Sequence, residues 1–272
     1  MQSPRTLSPT ESKLVMELEW EERKILSLQD IAQMLHVYYP QARRLAHVLQ
    51  RKQWLNRIAP GKYQFIPANR GREAVPDMNP LLVGSVLVTP YYYSYATANH
   101  HYGFTAQVPA TVYLVTTHSH RTVHLRDVTY RFVAVTPAKF FGFHTVRVLT
   151  TEVMMAEPEK ALVDSLDKPR LAGGIVEVAA LLAAARNHVA WGKVSEYALR
   201  MDNRSLVQRL GYVADLLHLP LPATIREQLR AAVQHGKTYL GPTTMWGTGG
   251  QYDAVWQIVV NVPQDQLLSE VK

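Results

Sequence analysis

The sequence contains no cysteine among its 272 residues. Disulfides, thiol nucleophiles and cysteine-ligated zinc are thereby excluded, while the redox compartment stays open. Acidic residues are absent from one long stretch. Between His36 and Arg72 there is no Asp or Glu, whereas Arg43, Arg44, Arg51, Lys52, Arg57, Lys62, Arg70 and Arg72 are all basic. Long apolar runs are also lacking. The longest, 81–88 and 175–185, fall short of the roughly 20 residues that a membrane-spanning helix needs, and Glu177 interrupts the second. The polar N-terminal segment carries no signal-peptide core. These absences lead to the expectation of a soluble, cytoplasmic protein with no membrane partner. What is present suits a folded chain: 47% apolar residues, 19% charged residues, and a length that allows two domains. A formal net charge of +7 favours an anionic partner.

Residues 27–66 order themselves as helix, turn, helix and hairpin. Leu28, Ile31, Ala32 and Leu35 recur at helical spacing, which predicts a short amphipathic helix over 28–35. His36-Val37-Tyr38-Tyr39 reads as a turn, and Pro40 then occupies the first turn of a helix over 40–52. That helix has an apolar face of Ala42, Leu45, Val48 and Leu49. Gln41, Arg44, His47 and Arg51 lie opposite, with Arg43 at the edge. Segments 56–59 and 62–65 flank Pro60-Gly61, a tight-turn dipeptide, and form a hairpin. This order is that of a winged helix-turn-helix, whose second helix enters the major groove of double-stranded DNA. Arg43, Arg44 and Arg51 are the first expected groove and phosphate contacts, with Tyr39, Gln41 and His47 beside them. Lys52 and Arg57 add charge, and Lys62 at the wing tip is expected on the backbone or minor groove. The alternative is a winged helix used only for protein contacts, with a solvated basic face.

The rest of the chain predicts a mixed α+β fold of two domains, 1–70 and 79–272, joined by a polar linker rich in Pro and Gly over 67–80. A helix over 8–22 opens with Ser8 as N-cap, Pro9 at the first position and Glu11 completing a capping box. Leu14, Leu18 and Ile25 face the core, and Glu17, Glu19, Glu21 and Glu22 face away from DNA. In the larger domain, helices are expected over 80–88 and 91–101, the second closed by Gly103. Tyr91, Tyr92, Tyr93, Tyr95 and Tyr102 read as core rather than as base-stacking residues. Strands follow over 111–117, 128–135, 145–150 and 153–156. Helices follow from Pro158 to before Pro169, then over 175–187, 193–201, 205–217 and 222–234. A strand pair, 238–240 with 255–260, closes around the loop 247–250.

No motif specifies an active site. His118, His120 and His124 match no helical zinc signature and read as loop histidines. Gly236-Lys237-Thr238 lacks the upstream glycine of a phosphate-binding loop, since position 231 is Ala231. The loop 247–250 reads as a hairpin tip rather than a phosphate cradle. Glu157, Glu159, Asp164 and Asp167 read as helix-dipole and surface charges. No nucleophile elbow is present. The expectation is a non-enzyme with no metal and no cofactor. The rival reading is a nucleic-acid-modifying enzyme with a winged-helix specificity domain.

Several blocks together resemble the AbiEi-family antitoxins, the transcriptional-regulator half of type IV toxin–antitoxin (abortive-infection) pairs. They are Arg57-Ile58-Ala59-Pro60-Gly61-Lys62-Tyr63 in the wing, Tyr93-Ser94-Tyr95-Ala96 with His101-Tyr102-Gly103-Phe104-Thr105 and Gln107-Val108-Pro109, and Val112-Tyr113-Leu114-Val115-Thr116. Further on come 158–164, Lys168-Pro169, Gly173-Gly174 and Arg209-Leu210-Gly211-Tyr212. The shared order of the blocks carries the resemblance, which spans nearly the whole chain. It implies autorepression at inverted repeats in the chain's own promoter, with two copies able to pair on DNA. It also implies neutralisation of a nucleotidyltransferase-like toxin without a stable complex, through the larger domain. One departure concerns the helix-turn-helix turn, which often carries a glycine and here has none; the turn geometry and base contacts are left open.

Overall fold

The computed structural model describes residues 5–70, 79–149, 151–233, 236 and 238–271. Residues 71–78, most of the expected linker, therefore lie outside the described residues, as do Thr150, Gln234 and Lys237. The fold is mixed α+β, with helices, two three-stranded sheets and a six-stranded sheet. The chain forms two compact units, Met1–Thr89 with Thr145–Val153, and Pro90–His144 with Met154–Lys272. This division places residues 79–89 with the first unit, whereas the sequence reading begins the second domain at 79.

The first unit holds α1 (Pro9–Trp20), β1 (Ile25–Ser27), α2 (Leu28–Leu35), α3 (Tyr39–Arg51), β2 (Leu55–Ala59), β3 (Lys62–Phe65) and α4 (Pro80–Gly84). α1 starts as the sequence predicts. The Ser8 hydroxyl accepts from the Glu11 N–H, and the Glu11 carboxylate accepts from the Ser8 N–H at 2.7 Å. A second capping box, Ser27 with Asp30, opens α2. Leu14, Leu18, Leu28, Ile31, Ala42, Ala46 and Leu49 are buried in one core. Leu45 and Val48, expected on the apolar face, are only partly buried; Ala46 takes that place because its small side chain admits the close approach of helices.

The glycine-free turn is resolved by His36. It adopts the left-handed conformation at φ 52° and ends α2, while the Val37 N–H returns to the Ala32 carbonyl at 3.0 Å. This is the hydrogen-bond pattern usually built on glycine. The expected turn residue Tyr39 is already helical. β1, absent from the sequence reading, pairs antiparallel with β3 and makes β3 the central strand of a three-stranded sheet, order β1-β3-β2.

The second unit contains β4 (Tyr92–Tyr93), α5 (Tyr95–His101), β5 (Thr111–Thr116), β6 (Val123–Leu125) and β7 (Val128–Ala134). Next come β8 (Phe143–Val148) and β9 (Thr151–Ala156), whose tip at 145–153 belongs to the first unit. The sheet order is β6-β7-β5-β4-β9-β8. The expected helix 91–101 is wrong in its first half. Tyr92 and Tyr93 pair with Val115 and Leu114, and Tyr95, at φ 55°, turns the chain as the first residue of α5. Aromatic preference for a pleated strand overrides the helical reading here. Tyr92, Tyr93 and Tyr95 are buried, as the core reading expects.

The helices are α6 (Pro158–Asp167), α7 (Ile175–Ala184), α8 (Trp191–Arg200), α9 (Arg204–Leu216) and α10 (Ala223–Ala232). β10 (Thr238–Tyr239), α11 (Thr243–Trp246), β11 (Gln251–Asp253), β12 (Ile258–Val260) and α12 (Gln264–Leu268) close the chain. The expected strand pair exists as β10 and β12, which run parallel, with β11 antiparallel on the other side of β12. Gly250 in the preceding loop fits because a Cβ there would lie 2.3 Å from the Val260 carbonyl oxygen.

The acidic residues around α6 are not surface charges. Asp164 is buried and pairs with the wholly buried Lys160; it also accepts from the Ser94 hydroxyl at 2.7 Å and the Tyr92 hydroxyl at 3.3 Å. Glu159 is buried and accepts from the Ala190 N–H at 3.1 Å. Glu157 takes Lys193 at 3.2 Å and the Tyr197 hydroxyl at 2.5 Å. Asp167 takes the Asn203 amide. The sequence pattern shows their spacing but not the side chains that other segments bring to them.

Two expectations about stability follow. Glu11 is buried, which by itself disfavours its charge, but the Lys52 ammonium at 2.7 Å and the Ser8 N–H outweigh burial and hold its carboxyl below the ordinary value. A depressed folded-state value stabilises the fold above the unfolded carboxylate range, about pH 4.3, and that contribution disappears as pH falls through the folded value. Thermal melts of Glu11→Gln beside the parent chain should show a gap at neutral pH that closes as pH falls below the unfolded carboxylate range. A gap of the same size at every pH would sink this account. In the second unit, a Cβ on Gly211 would sit 2.1 Å from the ring of Trp256, itself buried and donating through Nε1 to Asp215 at 2.7 Å. Gly211→Ala should destabilise by about 1–3 kcal/mol or more through overpacking, read as a fall in the melting midpoint.

Candidate nucleic-acid interface

The polar side of α3 is set by the way its other side is held. Ala42, Ala46 and Leu49 are buried, so Gln41, Arg43, Arg44, His47, Gln50 and Arg51 are left exposed. The helix begins with the Gln41 amide oxygen accepting from the Tyr38 N–H at 3.2 Å, which satisfies one of the donors a helix start leaves open. At the other end Lys52 turns back to Glu11, fastening the end of α3 to α1.

The wing is fixed just as firmly. Gly61, at φ 70°, turns the hairpin, and its carbonyl accepts from the Leu28 N–H at 3.0 Å, tying the wing turn to the start of α2. The register between β2 and β3 shifts between Arg57 and Ala59, a bulge in which Ile58 is buried and Arg57 is exposed. The Tyr39 hydroxyl reaches the neighbourhood of Gly61.

Between α3 and the wing lies a groove of about 970 Å³. Arg43, Arg44, His47 and Gln50 line it from α3, Arg57 and Tyr63 from the hairpin, and Leu28, Tyr39, Pro40, Val48, Pro60 and Gly61 complete it. Among the described residues no carboxylate lies within ion-pair distance of Arg43, Arg44, Arg51 or Arg57. Guanidiniums presented this way suit bidentate hydrogen bonding to phosphate or to guanine edges.

The sequence-predicted residues divide accordingly. Tyr39, Arg43, Arg44, His47 and Arg57 come together in the groove, and Arg43 lines it rather than standing at an edge. Gln41 and Arg51 are exposed but do not line it, and Gln41 also serves its own helix start. Lys62 is half-buried in β3, opposite Ser27. Lys52 is not free for an external partner: its ammonium is committed to Glu11. Gln50 was missed, although its place seven residues after Arg43 puts it on the same stripe.

Several cations of the helical part make contacts inside the second unit. Lys193 pairs with Glu157 and Glu159, the Arg200 guanidinium lies 3.8 Å from the centre of the Phe141 ring, and Arg209 donates to the Leu166 carbonyl at 2.9 Å. His118 and His120 are exposed, and His124 hydrogen-bonds Thr129 at 3.1 Å. No group of three or more His, Asp or Glu among the described residues is placed to hold a metal ion. No described helix is long and apolar enough to cross a membrane.

No family model matches the chain, and no curated protein matches it. Among solved structures, the crystal structure of the RV2827C protein from Mycobacterium tuberculosis is similar: TM-score 0.63 at 17% identity, over 98% of this chain and 96% of that one. At that identity the likeness shows the fold alone.

Proposed function

We propose that this chain is a DNA-binding transcriptional repressor acting in the cytoplasm, and that it serves as the antitoxin of a type IV pair of the AbiEi kind. The observation that carries the reading is the groove between α3 and the wing, where Arg43, Arg44 and Arg57 converge with no carboxylate partner among the described residues. An acid-free surface of this kind is suited to phosphates, and a helix with an exposed Arg, His and Gln stripe is suited to base edges. The resemblance of the sequence blocks supports the finer part: autorepression at inverted repeats, two copies pairing on DNA, and opposition to a nucleotidyltransferase-like toxin encoded beside it. No catalytic chemistry enters the proposal.

A mobility-shift series on the chain's own upstream region tests the DNA reading. About four neutralised phosphates predict roughly a hundredfold loss of affinity over a fourfold rise in salt. Arg43→Ala and Arg44→Ala should each weaken binding by about 1–3 kcal/mol while leaving the melting midpoint unchanged. Absence of a shift, or a shift insensitive to salt, would remove the reading. Co-expression with the adjacent toxin gene tests antitoxin activity separately, and failure of rescue by the intact chain would leave a repressor alone.

A further inference from the structure

The second unit contains a basic cavity that the DNA reading does not use. It has a volume of about 440 Å³ and is bounded by the end of α6 and the turn after it, by α9, and by β10 with the start of α11. Lys168, Arg170 and Arg209 line it, against a single carboxylate, Asp167. Asp167 already accepts from the Asn203 amide. Neither Lys168 nor Arg170 has an ion-pair or side-chain hydrogen-bond partner among the described residues.

Arg209 is fixed in the cavity wall. One of its terminal nitrogens is spent on the Leu166 carbonyl, but its Nε is buried and has no hydrogen-bond partner. Burial works against its charge and the nearby Asp167 works for it, yet a guanidinium stays protonated in proteins. A buried N–H donor left unpaired costs free energy comparable to a lost hydrogen bond. An anion in the cavity would be met by Lys168, by Arg170 and by the guanidinium that Arg209 contributes to the wall. The remaining wall is not basic: Tyr239, Leu240 and Pro242 offer an aromatic ring and apolar surface. The volume falls in the range of about 300–1,000 Å³ that small-molecule sites occupy.

We propose that this cavity binds a small nucleotide, with its phosphoryl group on Lys168, Arg170 and Arg209 and its base against the Tyr239 side. A duplex is the less suitable occupant, because backbone phosphates are met by exposed cations and Arg209 is mostly buried. The proposal is independent of the DNA reading, since none of its residues lies in the first unit.

Calorimetric titration of the full chain with AMP, ADP, adenosine, inorganic phosphate and a duplex oligonucleotide provides the test. AMP or ADP should bind saturably, and adenosine and inorganic phosphate should each bind at least about tenfold more weakly, since each lacks one half of the recognition. Lys168→Ala with Arg170→Ala should weaken the nucleotide about tenfold or more, with the melting midpoint and the salt-dependent DNA shift unchanged. Arg209→Lys, which keeps the charge but loses the planar guanidinium fork, should weaken it as well. Any of three results would overturn the proposal: no saturable binding of AMP or ADP, adenosine binding as well as AMP, or a double variant that binds AMP unchanged. Binding of the duplex alone, weakened by the double variant, would also overturn it and would assign these cations to DNA. A chain that binds AMP but gives no mobility shift would leave this proposal standing and remove the DNA reading.

Discussion

The buried ammonium of Lys160 constrains the second unit more than any other single group. An ion this far from water is tolerated only when its partners are in place, because desolvation costs several kcal/mol and a half-satisfied pair is worse than none. Asp164, one helical turn on, supplies the counter-charge; Tyr92 and Ser94 supply hydroxyls, and the Phe141 ring stands 4.9 Å away. Those partners come from α6, from β4 and the residue after it, and from the loop before β8. β4 is only two residues long, yet it sits between β5 and β9 in the middle of the sheet. The hydroxyl contacts from Tyr92 and Ser94 give so short a strand a reason to stay there. Burial next to Asp164 also pushes the Tyr92 phenol well above its ordinary value, so it remains a neutral donor.

The first unit uses a smaller version of the same arrangement. Glu11 closes a capping box and holds Lys52, so one carboxylate serves the start of α1 and the end of α3. Positive charge in this chain therefore has two roles that composition cannot separate. Lys52, Lys160 and Lys193 hold elements together, whereas Arg43, Arg44 and Arg57 remain available in the groove. The net charge of +7 is a poor guide to an interface; the distribution of partners is a better one.

Legibility in the sequence followed the reach of the interactions. The 28–35 helix coincides with α2 because period, capping box and length all agree within a few residues. Pro60-Gly61 marked the wing turn for the same reason, since the conformation that Gly61 adopts is a local requirement. The groove stripe on α3 was largely legible from helical spacing, although Gln50 was overlooked. β1, three residues long, and β4, two, are too short to show a period. Lys52 looked available because its partner lies 41 positions away in sequence. Lys160 and Asp164 have the spacing of an ordinary exposed helix pair, and only the tyrosine and serine from β4 and its end reveal that the pair is interior. The left-handed His36 shows the converse: the missing glycine suggested an altered turn, and the backbone formed the usual one with a less usual residue.

The pairing pattern of the strands also bears on the order in which the chain acquires its shape. In the first unit β2 and β3 are joined by the two-residue turn at Pro60-Gly61, and α2 and α3 by a three-residue turn. Closing such short loops costs little chain entropy. The large sheet instead requires Tyr93 to find Met155, with β5 laid parallel to β7 across an intervening strand. Non-local and parallel pairings of this kind slow folding. The helix-turn-helix and wing precede the large sheet in the chain and close locally, so the elements bearing the groove are expected to take form while the sheet is still being synthesised.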